Sequence, residues 1–233
     1  MLRSLILFFA KKKNPDFTLD ASVSGALLAR YAWNRIWAFM RGFRLLRTGR
    51  IPKGLFLGRG VSTVNLRNIR FGRMVQIHEY TRLSAIGKGP LEIGNQVTIG
   101  AFSRIAITYG FHQPGVGIRI GNNVGIGEYT HLGGAGGLEI GDDCIVGPYF
   151  SCHPENHETS QPGVPYRLQG VNRKGIRIGK NCWVGAKVTV LDGVEVGDNC
   201  ILAAGAVVTK SFPANSLIGG VPARLIKQLP TQA

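Results

Sequence analysis

Acidic side chains are scarce in this chain. Its 233 residues contain 13 Asp and Glu against 28 Lys and Arg, which gives a formal net charge of +15 at pH 7. The excess is concentrated at the front, where residues 1–50 carry Asp16 and Asp20 among many basic side chains. Charge of one sign points to an anionic partner, and nucleic acid, an acidic membrane surface and a phosphorylated ligand all qualify.

Cysteine and long apolar runs are also in short supply. The four cysteines form no CxxC pair and no zinc-ligand spacing, which favours a reduced, cytoplasmic setting and a protein that requires no metal. No stretch reaches 18 uninterrupted apolar residues, so a membrane-spanning helix is not expected. The opening MLRSLILFFAKKK places its lysines after a short apolar run, whereas a secretory signal places its positive charge first. We therefore expect no signal peptide.

What the sequence does contain is a period of six. An aliphatic residue recurs at every sixth position in the last and longest block, which consists of Ile178, Val184, Val190, Val196, Leu202 and Val208. Earlier blocks keep the same step, for example Ile93, Ile99 and Ile105, and small insertions offset them. Four residues after each aliphatic position lies a small or β-branched side chain, with Phe150 as a departure. Six is no helical period; it is typical of very short strands with corners between them, the aliphatic pointing inward and glycine easing the corner backbone.

This pattern resembles that of the hexapeptide-repeat acyltransferases over roughly residues 60–220. The resemblance implies an all-β fold, a left-handed parallel β-helix of triangular section with three hexapeptides per coil, packed as a homotrimer. If a coil has 18 residues, Cys182 and Cys200 stack on neighbouring rungs, as two buried thiols rather than a disulfide.

We expect the chain to divide into three segments. A basic amphipathic helical segment occupies residues 1–50, the coil occupies residues 51–217, and a cap with a short C-terminal helix and a tail occupies residues 218–233.

The rhythm of six stops between Cys152 and Ile178, which predicts that a polar loop at residues 153–176 leaves the wall of the coil. The motif ENH, followed by PYRLQG, RKGI and WVG, resembles the sugar O-acetyltransferase branch of the family. In that branch the histidine of NH is the catalytic base, which corresponds to His157. Relatives with a catalytic HP would select His153 instead, but the spacing to the later motifs favours His157. Asn156 and His153 are then expected to bind substrate.

A histidine suits the implied chemistry. A neutral imidazole takes the proton of a sugar hydroxyl while the hydroxyl oxygen attacks the thioester of acetyl-CoA. A backbone N–H at Gly185 or Ala186 is the candidate donor to the oxyanion. Glu155, Glu158 or a backbone carbonyl would orient the imidazole.

Acetyl-CoA is the co-substrate that the resemblance implies, and its site falls in the C-terminal coils. The residues that correspond to the lining of the pantetheine arm are Gly185, Ala186, Ala204, Gly205 and Thr209. The residues that fall where the family binds phosphates are Lys210, Arg224 and Lys227. An ordinary solvated basic tail is the alternative for these three cations.

The segment from Leu28 to Phe43 has the spacing of a helix, with aromatic residues and arginines interspersed. This combination is typical of an interfacial helix on an anionic leaflet, and a cap over the open end of the coil would have the same pattern. A lipid-linked sugar acceptor would make attachment to the inner face of the cytoplasmic membrane sensible.

The sequence therefore predicts acetyl transfer from acetyl-CoA to a hydroxyl of a surface-polysaccharide precursor, with a sugar or a lipid-linked saccharide as acceptor. N-acetylation of a nucleotide-linked amino sugar is the closest alternative. A zinc lyase of the same fold needs two histidines five residues apart, whereas His153 and His157 are four apart. A noncatalytic trimeric scaffold would not need the ENH and RKGI motifs. Nucleic acid is not an expected partner, because the basic excess lies in an apolar helix rather than a recognition motif.

Overall fold

The computed structural model describes residues 7, 11, 16–20 and 22–230. A helix, α1, spans Gly25–Gly42, and a 3-10 helix follows at Phe43–Thr48. The side chain of Ser24 caps α1 by accepting a hydrogen bond from Leu27 N. Most of the opening run on which the signal-peptide prediction rests lies outside the described residues.

From residue 56 onward the chain passes through three parallel sheets in turn. Sheet A contains β1 (Phe56–Leu57), β4 (Gln76–Ile77), β7 (Thr98–Ile99), β10 (Gly125–Ile126), β13 (Ile145–Val146), β18 (Trp183–Val184), β21 (Ile201–Leu202), β23 (Ser216–Gly220) and β24 (Ala223–Gln228). Sheet B contains β2 (Ser62–Val64), β5 (Arg82–Ser84), β8 (Arg104–Ala106), β11 (His131–Gly133), β14 (Ser151–His153), β19 (Thr189–Leu191) and β22 (Val207–Val208). Sheet C contains β3 (Ile69–Phe71), β6 (Leu91–Ile93), β9 (Ile118–Ile120), β12 (Leu138–Ile140), β17 (Ile176–Ile178) and β20 (Glu195–Val196).

This order makes the structure a parallel β-helix, as the resemblance to the hexapeptide-repeat acyltransferases implies. Each circuit adds one strand to each sheet, so strands far apart in sequence become hydrogen-bonded neighbours. Equivalent residues are 18 positions apart in the C-terminal coils, for example Asn181 and Asn199, and 20 apart at Asn123 and Asp143. The left-handed sense and the homotrimer stay predictions.

Both repeating positions point into the coil. Every aliphatic residue of the last block is buried, and so are the small residues between them, such as Val188 and Ala206. Phe150, which departs from the small-residue pattern, is fully buried and points inward with the rest. The core is therefore a continuous stack of side chains along the axis of the coil.

The corner glycines have a different role from the expected one. The left-handed corner conformation between sheets A and B is adopted by Tyr80, Phe102, Tyr129 and Tyr149, with φ between 55° and 59°. The glycine that precedes this corner is needed for close approach instead. A Cβ on Gly147 would lie 2.7 Å from the backbone nitrogen of the next rung, so a side chain would push the coils apart.

The four cysteines are free and buried, which confirms the expected thiols. Cys144, Cys182 and Cys200 lie on successive rungs, and the Cys182 N–H donates to Cys144 Sγ at 3.5 Å. Burial raises the pKa of the Cys152 thiol above its ordinary value.

The predicted C-terminal helix is wrong. Residues 216–228 form an antiparallel hairpin in which β23 pairs with β24 and extends sheet A beyond β21. The reason lies in the turn, where Gly220 has φ 98° and Pro222 follows two residues later. Ala223 is buried while the next residues are exposed, so the hairpin covers the last rung with its backbone rather than with an apolar helix face.

Helix α1 packs against the first rungs of sheet A. The Arg35 guanidinium lies 3.8 Å above the ring of Phe56 and donates to Gln76 Oε1 at 2.7 Å, and Arg41 Nε donates to the carbonyl of Leu57. The opposite side of α1 leaves large apolar side chains exposed, among them Trp33 and Trp37. None of the helices in the described part of the chain has both the length and the apolarity to cross a bilayer.

Truncation of the inward stack should destabilise the fold. Leu132 is fully buried between Ile105 and Cys152 on the neighbouring rungs. We expect Leu132→Ala to lower the free energy of unfolding by about 2–5 kcal/mol, because it leaves a cavity. Ile145→Ala, at a side chain 65% exposed, is the control and should cost less than about 1 kcal/mol. Urea denaturation measures both, and equal losses would contradict the inward stack as the source of stability.

Candidate active site

The predicted loop leaves the coil at the end of β14 and returns at β17. Two short strands, β15 (Asn156–His157) and β16 (Val171–Asn172), pair antiparallel and form a ribbon at its base. A 3-10 helix at Tyr166–Leu168 lies near the far end. His157 faces Val171 across the ribbon, and Asn156 faces Asn172. Both His157 and Asn156 are exposed.

Two contacts hold the ribbon in place. Arg173 forms an ion pair with Glu155 at 2.6 Å, which ties the outgoing and returning parts of the loop to each other, and the two side chains are 21% and 33% exposed. On the return path, the Asp192 carboxylate accepts from the backbone N–H groups of Lys174 and Gly175 at 2.8–3.0 Å. These contacts fix both ends of the segment that carries His157.

The loop is also tied within itself. The side chain of Gln169 donates to the carbonyls of Gln161 and Val164 and accepts from Gln161 N. The motifs PYRLQG and RKGI contain Gln169 and Arg173, but the sequence did not predict the structural roles of Gln169, Arg173 or Asp192. Their hydrogen-bond partners lie up to 18 residues away in the chain, so the motifs alone do not identify them.

One of the two proposed orienting carboxylates has another partner, because Glu155 is paired with Arg173. The backbone N–H of Glu158 donates to the carbonyl of Gly170 at 3.1 Å, and its carboxylate stays a candidate. The carboxamide oxygen of Asn172 is buried beside Asn156 and has no hydrogen-bond partner within the described part of the chain.

His153 lies apart from the ribbon, on the outer face of sheet B. Its ring stacks on His131 with the centroids 5.5 Å apart. Burial lowers the pKa of His131, and His153 and Arg104 lower it further because they place positive charge nearby. His131 is therefore neutral near pH 7, and it was not identified from the sequence.

A second loop, residues 107–117, lies between β8 and β9 and reaches the first. Arg173 Nη1 donates to the carbonyl of Gln113 at 3.3 Å, which links this loop to the Glu155–Arg173 ion pair. Phe111 and Tyr109 are exposed on it. The sequence shows a small insertion that offsets the repeat here, but it did not predict that this loop belongs to the site. It leaves the coil after β8, two rungs away from β14, where the first loop leaves, and it meets the first loop at Gln113.

The residues predicted to line the pantetheine arm are brought together at the corner between sheets A and B. Gly185 and Ala186 lie on the rung below Ala204 and Gly205, and Gly205 N donates to the carbonyl of Ala186 at 2.9 Å. The Gly185 N–H donates to the carbonyl of Leu202 at 2.8 Å. Gly185 is therefore excluded as the oxyanion donor, and Ala186 stays the candidate.

The predicted phosphate-binding cations lie at the C-terminal end of the coil. Thr209 and Lys210 follow β22, and Arg224 and Lys227 lie on β24. All four are exposed, and none of the ion pairs among the described residues involves Lys210, Arg224 or Lys227.

Within the described ranges, no group of three or more His, Cys, Asp and Glu side chains is placed to hold a metal ion.

Comparison with known proteins supports one family. The family model for the hexapeptide repeat of succinyl-transferase matches residues 175–210. A probable acetyltransferase of Mycobacterium tuberculosis is 30% identical over 197 residues, which cover 83% of this chain and 56% of the relative. A putative lipopolysaccharide biosynthesis O-acetyl transferase of Escherichia coli is 30% identical over 131 residues, 49% of this chain and 67% of the relative.

A solved structure shares the fold. The putative acetyltransferase of Bacillus cereus superposes with a TM-score of 0.56 at 20% identity, over 73% of this chain and 85% of that one. The chain spans little more than half the length of the mycobacterial relative. The repeat, the β-helix and the identity to these relatives together show that the chain belongs to the hexapeptide-repeat acyltransferase family.

Proposed function

We propose that the chain transfers an acetyl group from acetyl-CoA to a hydroxyl of a saccharide precursor of a surface polysaccharide, with His157 as general base. The observation that carries this proposal is the placement of His157. It stands exposed on a ribbon whose two sides are tied together by the Glu155–Arg173 ion pair and whose return path is held to the coil by Asp192. General-base catalysis requires an imidazole that the acceptor can reach, and this position provides one.

The reaction needs one proton carrier. The acceptor hydroxyl gives its proton to an imidazole nitrogen of His157 as its oxygen bonds to the thioester carbonyl carbon. The developing negative charge on the carbonyl oxygen accepts a hydrogen bond from the Ala186 N–H. The carbon–sulfur bond then breaks, and the proton passes from His157 to the departing sulfur, which leaves an acetyl ester and free coenzyme A.

The cofactor end supports the same assignment. The corner formed by Ala186 and Ala204 offers a backbone surface for the pantetheine arm, and its side chains are too small to obstruct it. Lys210, Arg224 and Lys227 are exposed cations at the adjoining end of the coil. Their positive charge complements the phosphates of coenzyme A.

O-acetylation is favoured over N-acetylation by the name of the E. coli relative, a putative O-acetyl transferase. The two reactions give products that differ in stability, because hydroxylamine cleaves acetyl esters and leaves acetamides intact. Mass spectrometry of the product before and after hydroxylamine therefore distinguishes them. A noncatalytic scaffold would give no product at all.

We also propose that α1 attaches the protein to the inner face of the cytoplasmic membrane. One side of α1 packs on sheet A, so the helix acts as a partial cap. The other side presents Trp33 and Trp37, whose rings form an edge-to-face pair at 5.8 Å, close to the exposed Arg30. Exposed tryptophans beside a cation suit the headgroup region of an anionic leaflet.

Removal of the base should abolish turnover while the fold is retained. We expect His157→Ala to lower kcat by about 10²- to 10⁴-fold, the usual share of general-base catalysis. The variant should still bind coenzyme A, because the cofactor corner lies outside the loop. Turnover is measured by the release of free thiol from acetyl-CoA. His153→Ala is the control and should cost far less; the reverse order of losses would show that His153 is the base.

Loss of a phosphate-binding cation should act on the co-substrate. We expect Lys210→Ala or Arg224→Ala to raise the KM for acetyl-CoA about tenfold and to change the KM for the sugar much less. The effect should shrink at high salt, because ions screen exposed charges. Lys180→Ala, another exposed lysine, serves as the control. An unchanged acetyl-CoA titration in both variants would place the cofactor elsewhere.

Replacement of the two tryptophans should release the protein from membranes. We expect Trp33→Ser with Trp37→Ser to reduce sedimentation with vesicles of anionic phospholipid, and Phe111→Ser, at an exposed aromatic residue outside α1, to leave it unchanged. If the double variant pellets as the wild type does, α1 is a cap for the coil only.

A further inference from the structure

The outer face of sheet C carries charges of both signs in a regular order. One outward residue from each of its six strands is in register with the next, and the signs alternate, in the order Arg70, Glu92, Arg119, Glu139, Arg177 and Glu195. Arg70 and Glu92 form an ion pair at 2.6 Å, and Arg177 and Glu139 approach to 3.8 Å. Every cation on this face has an acid on a neighbouring rung.

The outer face of sheet B breaks this rule. The corresponding column runs Ser62, Arg82, Arg104, His131, Ser151 and Thr189. Arg82 and Arg104 stand directly opposite each other, both exposed, and His131 follows on the next rung. The ion pairs found among the described residues include neither arginine. Like charges directly opposite each other destabilise a sheet, so this pair costs the free protein stability.

The unpaired arginines adjoin the candidate active site. Arg104 lies one rung below His131, which stacks on His153 at 5.5 Å. The guanidinium of Arg104 also lies 6.0 Å from the ring of Tyr109 on the second loop. That loop contacts the ribbon of His157 through the carbonyl of Gln113.

We propose that Arg82 and Arg104 bind a diphosphate group that joins the acceptor saccharide to its carrier. This inference rests on the proposed function, because it assigns the arginines to the acceptor of that reaction. Two guanidinium groups on adjacent rungs carry two positive charges about 4.8 Å apart, which match the two negative charges of a diphosphate diester. A single carboxylate would leave one cation unpaired. Tyr109 supplies an aromatic surface beside this position for the group attached to the diphosphate.

A diphosphate of this kind occurs in two classes of acceptor, nucleoside diphosphate sugars and polyprenyl diphosphate saccharides. Both place two phosphates between a sugar and an apolar or aromatic group. Competition of each class with bound pyrophosphate distinguishes the two.

The test is a direct binding measurement on the full-length protein with coenzyme A at saturation, so that the cofactor site is filled. Inorganic pyrophosphate is the probe, and isothermal titration calorimetry gives its affinity. We expect Arg82→Ser with Arg104→Ser to weaken pyrophosphate binding at least about tenfold, and Arg104→Lys to weaken it less because the charge is kept. Arg119→Ser is the matched control, since this exposed arginine lies between two glutamates on sheet C.

NMR of His131 tests whether pyrophosphate binds at this position. Bound pyrophosphate places negative charge next to His131, so the NMR titration of this imidazole should move to higher pH in the wild type and not in the double variant. UDP-glucose and a polyprenyl diphosphate in detergent micelles are then tested as competitors, and the stronger one identifies the source. Competition by neither would overturn the proposal.

Two further outcomes would also overturn it: equal pyrophosphate affinity in wild type and double variant, or an equal loss in Arg119→Ser. None of these outcomes depends on turnover. If His157→Ala keeps full activity while the arginine variants lose pyrophosphate, the assignment of the base fails and the anion site stands.

Discussion

The structure depends on one constraint: each coil must stack on the coil below at the spacing of hydrogen-bonded strands. Parallel strands lie about 4.8 Å apart, so the inward side chains of successive rungs are forced into contact. Most inward positions are therefore aliphatic or small, with Phe150 as an exception, and the corner glycines are required where a Cβ would meet the backbone of the next rung. Because this stack supplies the core, the outward residues and the loops are free to serve other purposes.

The two inserted loops use this freedom in the same region. Loop 107–117 and loop 153–176 leave the coil two rungs apart, after β8 and after β14. Arg173 of the longer loop contacts Gln113 in the shorter one and Glu155 in its own. The backbone of the return path is held by Asp192, which belongs to the next rung. The ribbon of His157 therefore takes its position from the coil, and its precision does not depend on the loop alone.

The outer faces of sheets B and C carry charged side chains in two different patterns. On sheet C the signs alternate, which neutralises the face rung by rung. On sheet B two arginines and a histidine follow one another beside the candidate site. The net charge of +15 is thus not spread evenly. Part of it lies on α1, part at the C-terminal hairpin, and part in this column, and each of these places suits a different anion.

The sequence by itself determined the short strands with their corners, the extent of the repeat and the position of the interrupting loop, because a period of six reports directly on which side chains face the core. The β-helix and the family followed from the resemblance of its motifs to those of known acyltransferases. It also singled out His157, since that residue stands in a motif that is contiguous in sequence. Tertiary structure decided what the period does not encode. It made the C-terminal end a hairpin, gave Glu155 to Arg173, and withdrew the Gly185 N–H by pairing it with Leu202. It also placed Arg82 beside Arg104, 22 residues later in the chain, because insertions in the coils shift which residues become neighbours, and register between rungs is fixed only when the coil closes.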